Sequence, residues 1–169
     1  MITSTEWIQA LGLVPHPEGG YYREFYRSKY ILNQEWLPSG FTGKREMGSV
    51  IHYMLTNDRC SAFHRLKSDE IWHFHDGSPF VLHLIDPKGV YSVVHLGINV
   101  AAGEVPCFAV PAGHWFGAEV AEENSFSLAS CTVIPAFNFD DFEMPATDEL
   151  IGIFPHLAKE IRHLSRTDS

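Results

Sequence analysis

A series of short apolar segments separated by turn residues occupies the middle of the chain and limits most strongly what it can fold into. The segments end at turn signals such as Asn57-Asp58, Asp76-Gly77 and Asp86-Pro87. Strands of this length with turns between them are typical of antiparallel sandwiches and barrels, and no βαβ alternation is visible. The predicted strands are Ser49–Leu55, Cys60–Leu66, Glu70–His75, Phe80–Ile85, Tyr91–Leu96, Cys107–Val110, Trp115–Val120 and Ser125–Ile134.

Helical patterns flank these strands. Thr3–Leu11 begins with a capping box of Thr3 and Glu6, and Gly12 suits the left-handed position that follows a helix. Near the other end, Thr147 is the expected N-cap of a pattern that contains Pro155, so two short helices are expected there. We therefore predict one domain over 1–169, with a helical segment at 3–11, a strand at 21–26, a loop at 31–47, a barrel over about 20–143 and C-terminal helices over about 147–164.

Composition excludes several classes of function. The net charge is −9 and the chain has 12 Lys and Arg residues without a basic run, which argues against nucleic-acid binding. Its three cysteines are isolated, which fits a reduced compartment better than a disulfide framework. No stretch approaches the roughly 18 apolar residues of a membrane span, and no secretory signal is recognisable. We expect a soluble cytoplasmic protein with no nucleic-acid or membrane partner.

Strand parity places the chemistry-bearing residues of Ser61–Pro79. Residues two apart in a strand share a face, so His64 and Leu66 are expected on one face, and Glu70, Trp72 and Phe74 on one face of the next strand. The turn between these strands would bring His64 and Glu70 together in the interior. Such a pair can act as an acid and base, can ligate a metal, or can simply satisfy itself by hydrogen bonding. His73 and His75 are expected to face outward.

Two segments resemble the motifs of the cupin superfamily: SAFHRLKSDEIWHFHDGSP (61–79) is similar to the first, and VPAGHWFGA (110–118) to the second. In this resemblance His64 takes the first histidine, Glu70 the glutamate and Gly77 the closing glycine of the first motif. The positions of the other two usual metal ligands hold Leu66 and Phe116. The leading glycine of the first motif falls on Asp58 and the asparagine position of the second on Val120; Pro111 and Gly113 match.

A closer resemblance covers nearly the whole chain. HPEGGYYRE (16–24), the two segments above and CTVIPAFNFDDFE (131–143) are similar to the Cupin-5 family, long described as a domain of unknown function. The resemblance implies an RmlC-like jelly roll, usually a homodimer, and supplies no established reaction. Cys107 stands where the family commonly has a glutamine, so if this position lines the pocket the polar contacts of a ligand are expected to differ here.

The residues at these positions disfavour a metal. A catalytic metal site usually has three protein ligands, and Leu66 and Phe116 supply none. We therefore predict no cofactor. A metal-dependent enzyme that recruits a histidine outside the motif positions remains the alternative, and a non-catalytic binding or sensor module is a further one.

The leading hypothesis is a small-molecule-binding cupin, with an acid/base reaction such as epimerisation or isomerisation of a sugar or sugar-nucleotide ligand. His64 would be the base, Glu70 its orienting carboxylate and Tyr53 the acid, as metal-free sugar epimerases of this fold are thought to use a histidine and a tyrosine. Tyr21 and Tyr22 are alternative phenols. The candidate ligand-binding residues are Trp72, Phe74, Phe116, Leu66, Cys107, Glu18 and Arg23.

Two further expectations concern surfaces. The HPEGG turn is either a lid or rim from which Arg23 or Glu24 reaches a ligand, or a tight corner leading into the first strand. The outward-facing His73 and His75 suggest an outer sheet that is covered by a second copy in a homodimer.

Overall fold

Thirteen strands and three α-helices are present in the computed structural model, which describes residues 2–164. The strands are β1 (Val14–Pro15), β2 (Tyr21–Arg27), β3 (Ile31–Leu32), β4 (Arg45–Glu46), β5 (Ser49–Thr56), β6 (Ser61–Leu66), β7 (Asp69–Gly77), β8 (Phe80–Ile85), β9 (Tyr91–Leu96), β10 (Cys107–Val110), β11 (Trp115–Val120), β12 (Phe126–Ile134) and β13 (Phe142–Glu143). The helices are α1 (Ser4–Leu11), α2 (Thr147–Ile153) and α3 (Ala158–His163).

The strands form two antiparallel sheets and one small ribbon. One sheet has the order β1-β2-β5-β12-β7-β10 and the other β13-β6-β11-β8-β9, while β3 pairs with β4. Successive strands β5 to β8 alternate between the two sheets and are interleaved with β11 and β12, which is the connectivity of a jelly roll. This confirms the predicted all-β antiparallel class.

The core lies between the two sheets. Inward residues of both sheets pack together there, which is possible because side chains alternate across each strand. The buried members of this cluster include Tyr53, Trp72 and Ala129 from the first sheet and Phe80, Leu82 and Phe116 from the second. The predicted strand parity therefore holds for Trp72 and for Phe74, which is partly buried against the same cluster.

Helix α1 covers one end of the outer face of the six-stranded sheet. Thr3 caps the helix and exchanges hydrogen bonds with Glu6, and Gly12 follows in the left-handed conformation, as predicted. Trp7, Ile8 and Leu11 of this segment pack against Leu13, Met54 and Leu128. The predicted helix is confirmed at both ends.

Helices α2 and α3 cover the outer face of the five-stranded sheet. Their apolar residues pack on Phe63, Ile85 and Trp115, and a 3-10 turn at Pro155–Leu157 separates them, as Pro155 predicted. The expected N-cap was wrong by one residue. Ala146 occupies the cap position. Alanine has no side-chain oxygen to cap the helix, and its backbone N–H donates to the Glu149 carboxylate.

The 31–47 segment is largely irregular, as predicted, but the short β3–β4 ribbon and a 3-10 turn at Gln34–Trp36 lie within it. Arg45 anchors it to the far end of the chain: its guanidinium donates to both carboxylate oxygens of Asp141 at 2.6 and 2.9 Å, and both side chains are buried.

Within residues 2–164, no helix is long and apolar enough to cross a membrane.

Candidate functional site

A cavity of about 450 Å³ opens at one end of the barrel. This end is defined by the pairing of Val133 with both Ser49 and Glu70, which brings the ends of β5, β7 and β12 side by side. Polar side chains line its inner part, and Leu66, Ile51 and Val133 form an apolar wall. The inner polar residues are His16, Glu18, Tyr22, His64 and Glu70.

The HPEGG turn brings Glu18 into the cavity. Gly19 and Gly20 have positive φ values of 120° and 70°, which residues with a Cβ rarely adopt. A Cβ on Gly19 would lie 2.0 Å from the carbonyl oxygen of Cys60, so only glycine allows the turn to pack this closely against β6. The Glu18 carbonyl then accepts from the Ala62 backbone N–H at 3.0 Å. The turn is thus a tight corner that directs Glu18 inward, and of the two side chains of the rim alternative Glu24 lines the cavity while Arg23 does not.

Glu18 and His64 form the central contact of the site. The Glu18 Oε2 atom lies 3.0 Å from His64 Nε2, and the two side chains are 8% and 2% exposed. His64 Nδ1 lies 2.8 Å from the carbonyl oxygen of Ala62, which can only accept, so Nδ1 carries a proton. In the neutral imidazole Nε2 is then an acceptor, and the hydrogen between Nε2 and Oε2 belongs to the Glu18 carboxyl.

Burial favours the neutral form of both groups. Desolvation lowers the pKa of His64 from 6.5 to about 4, and the hydrogen bond to Ala62 offsets only part of this effect. Desolvation also raises the pKa of Glu18, and a nearby His16 counteracts it in part. With the imidazole neutral and Nδ1 protonated, the contact is a hydrogen bond when the Glu18 carboxyl holds the proton, and the raised pKa of Glu18 favours that form.

Glu70 is the second carboxyl of the cavity. It is 6% exposed, and the Cys131 thiol is its hydrogen-bond partner. Desolvation raises its pKa from 4.5 to about 8. Glu70 is therefore mostly protonated at neutral pH.

These contacts change the predicted catalytic pair. His64 and Glu70 both face the cavity, as parity predicted, but the carboxyl in contact with the His64 ring is Glu18 and the group that orients it is the Ala62 carbonyl. Glu70 instead contacts Cys131. On β12, Cys131 lies two residues from Val133, which is the residue paired with Glu70. The sequence signal for Glu18 was its place in the HPEGG turn, where it was assigned to ligand binding.

The predicted phenol, Tyr53, lies behind the lining of the cavity, next to the Glu18 carboxyl. The Tyr53 hydroxyl donates to the Gly19 carbonyl at 2.8 Å, and burial raises its pKa well above the usual value. Tyr53 is 1% exposed and is not among the lining residues. Tyr22, one of the two alternative phenols, does line the cavity, with the His16 ring packed edge-on at 4.4 Å.

The predicted ligand-binding residues separate into three groups. Glu18 and Leu66 line the cavity. Phe116 packs on the His64 ring at 4.1 Å, while Trp72 and Phe74 lie deeper in the core, so these three support the site without lining it.

Arg23 and Cys107 lie outside the cavity, because both are on the outer side of their strands. Arg23 is exposed, and its guanidinium lies 3.4 Å from the Leu11 carbonyl. Cys107 is exposed and its sulfur lies 3.4 Å from His73 Nδ1. Cys107 pairs with His73 in the sheet, which fixes it on the outward face.

Aromatic rings form the rim of the cavity. Phe137, Phe139 and Phe142 pack edge to face with ring centroids 5.0 to 6.1 Å apart, and Phe142 lies 5.5 Å from His64. Arg27 also lines the cavity, and its guanidinium donates to Glu24, Glu46 and the Phe137 carbonyl. Sequence reasoning used 131–143 only for the family resemblance and missed this rim.

The residues present do not fit a metal at the cupin position. Leu66 and Phe116 fill two of the usual ligand positions with carbon, and Glu18 occupies the free nitrogen of His64. Among residues 2–164, no group of three or more His, Cys, Asp or Glu side chains is arranged to hold a metal ion. The absence of a metal from the protein stays a prediction.

Comparison with known proteins gives a family and a fold. The family described as Cupin superfamily (DUF985), Cupin_5, matches residues 5–145. An uncharacterized protein of Saccharomyces cerevisiae is 30% identical over 164 residues, which cover 90% of this chain and 81% of the yeast protein.

Solved structures agree with this result. A hypothetical protein from Leishmania major is 36% identical with a TM-score of 0.88, covering 97% of this chain and 99% of that one. A protein from Shewanella oneidensis is 38% identical with a TM-score of 0.88, covering 98% and 99%. Oxalate decarboxylase from Bacillus subtilis is similar in fold alone, at 16% identity and a TM-score of 0.53, and this chain spans 36% of its length.

Proposed function

The chain belongs to the Cupin_5 family of the cupin superfamily, and on this premise we propose that it binds a small molecule in the barrel cavity and transfers protons to and from it. The observation that carries the proposal is the buried contact between Glu18 and His64, in which Oε2 lies 3.0 Å from Nε2. The reaction class it suits is epimerisation or isomerisation, in which a proton leaves one carbon and another is added.

The pair can act as a base because its two members exchange one proton. When the Glu18 hydrogen moves to His64 Nε2, a carboxylate is left in the cavity, and the imidazolium is held by Ala62 on its other side. The carboxylate accepts the substrate proton. His64 thus stores a proton, and Glu18 is the group that contacts the substrate.

Glu70 supplies the acid of this proposal. Because burial raises its pKa to about 8, it carries a proton at neutral pH and can donate it to the carbanion that Glu18 has formed. After the transfer Glu70 is a carboxylate and His64 an imidazolium, and a return of the proton to Glu70 restores the resting state. Glu70 replaces Tyr53 in this role, since the Tyr53 hydroxyl is bound to Gly19.

The cavity suits a sugar better than a sugar nucleotide. Carboxyl groups can both donate to and accept from hydroxyls when they are protonated. A phosphate, in contrast, needs a free cationic donor, and Arg27 is already bound to Glu24 and Glu46. An unphosphorylated, hydroxylated molecule is therefore the favoured ligand type.

Deuterium exchange tests the proposal. The protein is incubated in heavy water with a pool of unphosphorylated aldoses, ketoses and amino sugars, and incorporation of deuterium at carbon is followed by mass spectrometry. Exchange is expected with the natural protein, and His64→Ala and Glu18→Gln should each slow it by roughly 10²-fold or more. His95→Ala, an exposed histidine on β9, is the control and should leave the rate unchanged.

Two outcomes contradict the proposal. Exchange that His64→Ala leaves untouched would remove the pair from the reaction. Saturable binding to the cavity with no exchange of any carbon-bound proton would leave a non-catalytic binding or sensor module, which is the second candidate function.

A further inference from the structure

We infer that the ligand of this cavity is an uncharged, hydroxylated compound that carries an apolar group. Its hydroxyls lie at Glu18 and Glu70, and its apolar group lies against the rings of Phe137, Phe139 and Phe142. The inference rests on the proposed function, in that it assumes that the cavity binds a small molecule, and it narrows the chemical class of that molecule.

The floor of the cavity is polar but holds no free charge. Burial raises the pKa of Glu18 and Glu70 and lowers that of His64, so each side chain favours its neutral form. The charged lining residues Arg27 and Glu24 pair with each other at 2.7 Å. An ionised ligand would therefore leave water without meeting an unpaired opposite charge, which is costly. Protonated carboxyls donate to and accept from hydroxyls, so an uncharged hydroxylated group suits this floor.

Apolar side chains of both sheets form the walls next to this floor. Leu66 and Phe142 are paired residues on β6 and β13 of the five-stranded sheet. Ile51 and Val133 belong to β5 and β12 of the six-stranded sheet, and all four side chains line the cavity. A compound with hydroxyls on every side would place some of them against these walls, which offer no hydrogen-bond partner. The walls therefore favour a ligand with apolar surface beside its polar end.

Aromatic rings continue the apolar wall from His64 to the entrance. The centroid of the Phe142 ring lies 5.5 Å from that of His64 and 6.1 Å from that of Phe139. Phe137 lies 5.0 Å from Phe139, and Phe139 is 62% exposed although it lines the cavity. Exposed apolar surface beside polar groups is typical of binding sites, and aromatic rings gain from both burial and edge-to-face contact. An apolar group at the outer end of the ligand would cover Phe139.

The free sugars of the exchange experiment fill only the polar part of this cavity. They are expected to react, but to bind more weakly than a sugar to which an apolar group is attached. The reason is that a free sugar leaves the rings at the entrance in contact with water, whereas a compound with both parts removes that apolar area from water.

The test uses three probes: phenyl β-D-glucopyranoside, methyl β-D-glucopyranoside and phenyl β-D-glucuronide. The second lacks the ring of the first, and the third has a carboxylate in place of the hydroxymethyl group. Affinities are measured at pH 7 by NMR titration of the full chain, with the signals of His64 reporting entry into the cavity. The phenyl glucoside should bind about tenfold or more tightly than the methyl glucoside, because it buries more apolar area. It should also bind about tenfold or more tightly than the glucuronide, whose charge finds no partner.

Phe139→Ala isolates the aromatic rim. Phe139 is largely exposed, so the variant is expected to fold. It should weaken binding of the phenyl glucoside by about threefold or more and change binding of the methyl glucoside by less than about twofold. Ile98→Ala, at an exposed apolar residue that follows β9, is the matched control and should change neither.

Each contrary result overturns the inference. Equal affinities for the phenyl and methyl glucosides, both reported by His64, would remove the apolar group but keep the cavity as a binding site, so this result is distinguishable from failure of the proposed function. Equal or tighter binding of the glucuronide would show that the ligand need not be uncharged.

Two further outcomes also count against it. A Phe139→Ala variant that lowers the mass in light scattering and leaves both glucoside affinities unchanged would show that Phe139 contacts a second copy of the chain instead. Failure of all three probes to perturb His64 at millimolar concentration overturns the inference, and the exchange experiment above then decides the proposed function separately.

Discussion

Buried carboxyl groups are uncommon in proteins unless they are paired, and this cavity contains two, those of Glu18 and Glu70. Glu18 is accommodated by donating to His64, and Glu70 by remaining protonated beside Cys131. Both solutions keep formal charge out of the barrel in the resting state. Glu18 and Glu70 are thus expected to ionise only when a ligand binds or a proton is transferred.

At the residue scale, the ionisation of Glu70 makes stability depend on pH. The folded protein retains the Glu70 proton up to about pH 8, whereas the unfolded chain loses it near pH 4.5, so this contribution to stability is present below pH 4.5 and is lost as the pH rises to 8. His64, with a pKa lowered to about 4, acts in the opposite direction but only between about pH 4 and 6.5. The window above pH 6.5 therefore isolates the carboxyls.

We predict that raising the pH from 6.5 to 8.5 lowers the free energy of unfolding of the natural protein by about 2 kcal/mol more than that of Glu70→Gln. Denaturant titrations at the two pH values give this difference. Glu123→Gln, at an exposed glutamate in the loop before β12, should behave like the natural protein. Parallel pH profiles for the natural protein and Glu70→Gln would show that Glu70 ionises normally in the fold.

At the element scale, the HPEGG turn positions Glu18. The turn is held against β6 by the bond between Ala62 and Glu18 and by the contact of Tyr53 with Gly19. Its conformation depends on Gly19, because a Cβ there would overlap the Cys60 carbonyl.

We therefore predict that Gly19→Ala displaces the turn and breaks the contact between Glu18 and His64. Gly40→Ala is the matched control, since Gly40 has a similar φ of 101° but no atom within 4 Å of the added Cβ. Both variants carry backbone strain, and the clash should make Gly19→Ala less stable than Gly40→Ala by about 2 kcal/mol or more in a denaturant titration. Equal stabilities of the two variants would mean that close packing against β6 does not determine the conformation of the HPEGG turn.

Most elements were predictable from local sequence, and the contacts at the site were not. The strands were found because turn residues and period-two patterning are local signals; β8, β9, β10 and β11 have the predicted bounds. Parity also placed His64 and Glu70 inward. The contact of Glu18 with His64 joins residues that are far apart in sequence, and it depends on how closely a glycine turn packs on another strand. The rim of Phe137, Phe139 and Phe142 likewise follows from the tertiary position of its loop, which no periodicity reveals.

At the scale of the whole molecule, six of the exposed large apolar side chains lie within residues 25–47. Trp36 and Tyr30 are 74% and 76% exposed, and further members of this set in residues 25–47 are Phe25, Tyr26, Ile31 and Met47. Phe25 stacks on His52 on the outer face of the six-stranded sheet, the face that also carries His73 and His75. Exposed apolar side chains in such numbers are typical of protein interfaces, which supports the proposal that the chain forms a homodimer through this segment.

Light scattering at micromolar concentration tests the dimer. We predict a mass twice that of the 19.1 kDa chain, and a shift toward the single-chain mass in the double variant Tyr30→Ser, Trp36→Ser. Ile98→Ser, at an equally exposed apolar residue outside this segment, is the control and should leave the dimer intact. A natural protein that has the single-chain mass would contradict the proposal.

The central claim is that a neutral pair, a Glu18 acid donating to His64 Nε2, stands in the cavity. Nitrogen-15 NMR of the His64 ring, assigned with His64→Gln, tests it most directly, because protonated and unprotonated ring nitrogens have different chemical shifts. The account predicts a proton on Nδ1, none on Nε2, and no change between pH 6 and 8, since burial lowers the pKa of His64 to about 4. An imidazolium at these pH values, or a neutral ring with its proton on Nε2, would contradict it.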